Sequence, residues 1–184
     1  MKTSIFVLLL LSAASLAKAD NLTTSEKQFV ETAAAGNAAE IRLAQLAQQK
    51  SQDSKVRAFA DRMISDHGKA NNDLKPIADA AHVGMPNQLK GEAKAAYNKL
   101  EKLNGPNFDH SYITDMVTDH QKVAAEYQKE QSEAKNPQLK TYVDNTLPVV
   151  QSHLTMAEEV KKGYVRPMND VSQRAAVSTW KKKQ

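Results

Sequence analysis

The chain has no cysteine, one tryptophan, four phenylalanines, five tyrosines and only six glycines and six prolines in 184 residues. Without cysteine there is no disulfide to help stability, no thiol nucleophile and no lipid-modified cysteine anchor. No Gly-x-Ser-x-Gly elbow and no phosphate-cradling glycine loop occurs, so signatures of nucleophilic hydrolysis and nucleotide binding are missing. After residue 19 no apolar run approaches the roughly twenty residues needed to span a bilayer. The formal net charge of +4 drops by two if Lys2 and Lys18 are removed with a leader. That near-neutral balance argues against nucleic acid as a partner.

What is present begins with an address. Lys2, the apolar run Ile5 to Leu16 and the small-x-small site Ala17-Lys18-Ala19 read as a cleavable secretory signal peptide over 1–19. The expected product begins near Asp20, is soluble and lies in the periplasm, with no lipid anchor and no transmembrane helix. Few aromatics and abundant alanine, glutamine and lysine then point to helices, and roughly 165 residues suit one core.

Helical periodicity recurs along the rest of the chain. Thr23, Thr24 and Ser25 cap a first helix to about Gln49, with the stripe Phe29, Ala33, Gly36, Glu40, Leu43, Ala47 and Glu40 its one charge. A second helix runs from Asp53 or Ser54 to about His82, with Pro76 inside it. A shorter helix, about Leu89 to Leu103, has one apolar edge and reads as a crossover. Asn104-Gly105-Pro106 opens a third long helix to about Ala134. Asn136-Pro137 opens a fourth, with Pro148 inside it and Gly163 as its stop. Short links within each pair and a long crossover between pairs describe an all-α, ferritin-like four-helix bundle over 20–163. The remaining 164–184 read as a basic tail ending in Lys181-Lys182-Lys183, with a short helix from Asp170 to Trp180. Such a tail suits a peripheral membrane surface or an anionic partner, and the helix surfaces leave a homodimer open.

One stretch is written twice. Arg62-Met63-Ile64-Ser65-Asp66-His67-Gly68-Lys69-Ala70 recurs as Asp115-Met116-Val117-Thr118-Asp119-His120-Gln121-Lys122-Val123. Each histidine falls in its helix's apolar stripe, where an ionisable group is costly to bury unless something binds it. His153 does the same on the fourth long helix. Glu40, His67, His120 and His153 each lie near the middle of their helix, so the four should meet in one core layer. Imidazole and carboxylate ligands suit one copper, zinc or iron ion. Asp66 and Asp119 point about 100° away from their neighbouring histidines, and suit a supporting role toward histidines on adjacent helices. The competing reading is a metal-free network in which Glu40 hydrogen-bonds the histidines. His82 and His110, near helix ends, are expected to be exposed.

The pattern Phe59-Ala60-x-x-Met63-x-x-Asp66-His67, then Gly105-x-x-Phe108-Asp109-x-x-Tyr112-x-x-x-Met116-Val117-x-Asp119-His120, then Leu147-Pro148-x-x-x-x-His153-Leu154 resembles domain-of-unknown-function family 4142. The resemblance spans roughly Ser25 to Lys162 and implies an exported bacterial protein of the ferritin-like superfamily with no established activity. The positions three before the histidines are Ile64, Val117 and Val150, which departs from the Glu-x-x-His of di-iron carboxylate bundles. A single ion fits better than a bridged pair. Two functions follow: metal storage, buffering or stress protection outside the cytoplasm, or a metal-free structural or stress-related envelope protein. No substrate pocket is visible in the sequence, so an enzyme is the less favoured class.

Overall fold

The computed structural model describes residues 22–86 and 88–181, with side chains described as far as Tyr164. The expected signal peptide over 1–19 and the side chains of the basic tail lie outside this range. Five helices follow in order: α1 (Thr24–Lys50), α2 (Ser54–Ala80), α3 (Gly91–Glu101), α4 (Gly105–Glu133) and α5 (Pro137–Lys181). None of the described helices is long and apolar enough to cross a membrane.

Local chemistry sets the starts. Thr23 and Glu26 form a capping box at α1, and the Asp53 carboxylate accepts from the amides of Lys55 and Val56 at α2, each satisfying donors that a helix start leaves open. The Asn136 side chain accepts from the amides of Gln138 and Leu139 ahead of Pro137, whose missing donor costs nothing there. Glu26 does a second task at long range, accepting from the amides of Lys135 and Asn136. It thereby fastens the α4–α5 turn to the start of α1.

The helices form two antiparallel pairs, α1 with α2 and α4 with α5, joined by α2 against α5 and more sparsely by α1 against α4, while α3 rests on α1 and α4. Two boundaries depart from expectation. The crossover helix is shorter than the expected span from Leu89 to Leu103. The helix expected to stop at Gly163 continues to Lys181, because one internal glycine lowers helix preference by only about 1 kcal/mol and Gly163 does not adopt a left-handed conformation. Pro76 and Pro148 are both contained within their helices.

The core is divided. One apolar cluster gathers Val30, Ala34, Leu74, Tyr127, Leu139 and Val143. The other gathers Leu43, Phe59, Met63, Tyr112, Met116 and Ala157. Along every long helix the segment between the two clusters carries a buried polar residue: Asn37 and Glu40 on α1, His67 on α2, His120 on α4 and His153 on α5.

Candidate metal centre

His67, His120 and His153 converge in this dividing layer. Their ring centroids are separated by 5.9, 5.2 and 5.5 Å, which is close to an equilateral triangle. One nitrogen from each lies within 4.8 Å of the other two, and all three residues are buried. Bonds of ~2.0–2.1 Å from nitrogen to a central ion would require only that the rings close inward.

The outer nitrogen of each ring is held. His120 Nδ1 lies 2.9 Å from the Met116 carbonyl one turn back; a carbonyl only accepts, so Nδ1 carries the hydrogen. His153 Nε2 donates to the Asp66 carboxylate at 2.9 Å. His67 Nδ1 donates to Asn37 Oδ1 at 2.9 Å, and the Asn37 amide in turn donates to the Tyr142 hydroxyl at 3.3 Å. Each neutral imidazole therefore turns a lone pair inward, on His67 Nε2, His120 Nε2 and His153 Nδ1. Those three atoms are buried without a hydrogen-bond partner. Leaving a buried acceptor unsatisfied costs ~1–3 kcal/mol, so three lone pairs facing one another could hold a metal ion.

Electrostatics keep the rings neutral. Burial, followed by the neighbouring rings of His153 and His120, pushes the pKa of His67 down to about 3. Burial and His153 lower His120 to about 4. Burial also lowers His153, although its hydrogen bond to Asp66 opposes the shift. Burial alone would raise Asp66, but hydrogen bonds from His153 and Arg62 prevail and hold its carboxyl below the ordinary range. Asp66 is thus the one anion wired directly to the triad.

Glu40 is not part of the group of nitrogens that could share an ion. Of the expected stripe, Ala33, Leu43 and Ala47 are buried in the core, while Phe29, Gly36 and Glu40 line a cleft of about 250 Å³ between α1, α3 and α4. The face turned to the centre of the bundle carries Val30, Ala34 and Asn37, all buried, and Asn37 occupies the place beside His67 that was expected for Glu40. No hydrogen bond joins Glu40 to a histidine, and its Oε2 has no partner at all. The network needed for the metal-free reading is therefore not formed through Glu40. Burial, then the nearby Asp119 charge, raises the Glu40 carboxyl to about 8. Asp119 supports no histidine; it lines the same cleft as Glu40, His67 and His120. His82 and His110 are exposed.

Sequence reasoning missed Asn37. Its only signal was a polar side chain in an alanine-rich run, one helical turn before Glu40.

Comparison with known proteins accords with this architecture. The profile of the family described as Domain of unknown function (DUF4142) matches residues 11–160. No curated protein sequence matches the chain. Among solved structures, a DUF305 fragment from Deinococcus radiodurans superposes with a TM-score of 0.69 at 17% identity, over 77% of this chain and 98% of that one. CopM in its Cu(I)-bound form gives 0.64 at 15% identity, over 76% and 96%. CopM in its Ag-bound form gives 0.61 at 16% identity, over 75% and 96%. At these identities the likeness is one of fold.

Proposed function

The chain belongs to the DUF4142 family, and from the chemistry of its core we propose that it holds one transition-metal ion between His67, His120 and His153, as a metal store or buffer outside the cytoplasm. The observation that carries this reading is the set of three unpartnered, inward-facing imidazole nitrogens. A single water in the triangle would offer two hydrogens to three converging acceptors and leave one unsatisfied, which makes the metal-free reading the weaker one.

The ligand set also favours one ion. Imidazole serves copper, zinc and iron alike, so charge must discriminate. Three neutral rings contribute no charge, and the negative charge of Asp66 behind His153 is shared with Arg62. A monovalent cation then leaves a smaller uncompensated charge than a divalent one in a layer where an unpaired ionic charge is expensive to bury. A divalent ion needs a further anion, from Glu40 after loss of its proton or from hydroxide. Cu(I) fits the resting site best. The CopM structures carry Cu(I), Ag and Cu(II), so a helical architecture of this shape is compatible with copper in either oxidation state, and the preference for Cu(I) rests on the charge of the site alone.

Thermal unfolding with added Cu(I), Ag(I) and Zn(II) tests the assignment. Ligands that bind only the native state stabilise it by about 2.7 kcal/mol at one hundred times Kd. The largest rise in Tm is expected for Cu(I) and Ag(I), and its loss is expected in His120→Ala. A larger rise with Zn(II) would overturn the monovalent assignment, and no rise with any of the three would overturn the site.

A further inference from the structure

The triad is buried, yet His67 and His120 both border the cleft between α1, α3 and α4. The cleft exists because the helices facing it carry little side-chain volume: Gly36 and Ala39 on α1, Ala93 and Ala96 on α3. Its charged lining is mostly acidic. Glu92 from α3 and Asp119 and Glu126 from α4 stand against a single cation in the lining, Lys122, and burial, then the charges of Asp115 and Glu92 opposed by Lys122 and Lys99, raises the Asp119 carboxyl. Glu40 lines the same cleft as these carboxylates and the histidines, only 9% exposed, with Oε2 unpartnered.

We infer that this cleft is the passage by which a metal cation reaches the triad, with Glu92, Asp119 and Glu126 gathering it at the mouth and Glu40 acting as its transit ligand. The inference rests on the metal-binding reading given above. Fixed negative charge in a cleft with low-dielectric walls raises the local cation concentration and the association rate. The Glu40 carboxyl, kept protonated by burial, releases its proton to solvent as the cation arrives and supplies an oxygen in place of water lost on leaving solvent, and the imidazoles then take the ion over. On the α2–α5 side the outer nitrogen of His153 is covered by Asp66, itself held by Arg62, and the cleft between Pro76 and Tyr142 on those helices is lined by no member of the triad.

The test is anaerobic stopped-flow transfer of Cu(I) from its coloured bicinchoninate complex to the whole protein, with bound copper counted at the end. Glu40→Gln and Gly36→Phe are compared with the parent. Gly36 has open space where a Cβ would lie, so the phenylalanine plugs the cleft without displacing backbone. Glu133→Gln with Glu159→Gln serves as a charge control remote from the cleft. Glu40→Gln and Gly36→Phe are expected to load about tenfold more slowly while still reaching one equivalent, and Glu92→Gln with Glu126→Gln to slow loading less and only at low salt. Unchanged rates in Glu40→Gln and Gly36→Phe, at full loading, overturn the passage and leave the site intact. Loss of the bound equivalent in Glu40→Gln makes Glu40 a permanent ligand and overturns its transit role. A parent that takes up no copper overturns both the site and the passage.

Discussion

Asp66 on α2 accepts a 2.9 Å hydrogen bond from His153 on α5, while the next residue, His67, turns its own ring into the site from α2. In the metal-binding reading, consecutive residues on one helix thus serve the triad twice, His67 as a ligand and Asp66 as the support of another. The bond fixes which nitrogen of His153 carries the hydrogen and leaves Nδ1 free to bind.

Asp66→Asn should weaken Cu(I) affinity by about 10–100-fold, the usual effect of losing a carboxylate behind a metal-bound imidazole. Competition against a chelator of known affinity measures it. Removal of the carboxylate also takes away the anion beside the site and leaves Arg62 without its ion-pair partner, so discrimination of Cu(I) over Zn(II) should change along with affinity. An affinity unchanged within twofold would show that Asp66 is a surface ion pair with Arg62 and nothing more.

Asn37→Ala should destabilise the metal-free protein by about 1–3 kcal/mol, because it strips partners from the buried groups of His67 and Tyr142 together. Urea unfolding reads the loss directly. The same variant frees His67 to rotate, so metal affinity should fall as well. A surface alanine such as Ala35 changed to serine should leave both quantities alone.

These two residues mark what was legible in the sequence. The duplicated Asp-His stretch placed His67 and His120 in core stripes, and the helix midpoints brought His153 to the same depth. Asn37 was not legible. The run Ala33-Ala34-Ala35-Gly36-Asn37-Ala38-Ala39 has small residues on every side, so periodicity could not decide which face of α1 turns inward. Charge drew attention to Glu40, one helical turn further on. Nor could spacing reveal that His120 is held by its own helix, through the Met116 carbonyl. The continuation of α5 past Gly163 escaped for a different reason. Glycine ends a helix only when the backbone beyond it turns away, which composition does not determine.

Stability of the metal-free protein should depend on pH in two opposed ways. His67 and His120, at about 3 and about 4 when folded, take up protons near their ordinary value of 6.5 only once unfolded. Below that value the unfolded chain binds more protons, and stability falls as pH falls. Glu40 works the other way. At about 8 when folded against an ordinary 4.5, it retains a proton that the unfolded chain has lost, and stability falls as pH rises through 8. Each proton contributes a slope of about 1.4 kcal/mol per pH unit. Denaturant unfolding from pH 5 to 9 should therefore peak near neutrality, with the alkaline decline absent in Glu40→Gln. A Glu40→Gln variant that keeps the same alkaline decline would contradict the buried, protonated state of Glu40.

The most direct test of the central claim is the copper content of the protein after anaerobic incubation with Cu(I) and desalting, beside His67→Ala/His120→Ala/His153→Ala. One equivalent retained by the parent and none by the triple variant is the predicted result. No copper in the parent, or equal amounts in both proteins, would contradict the account.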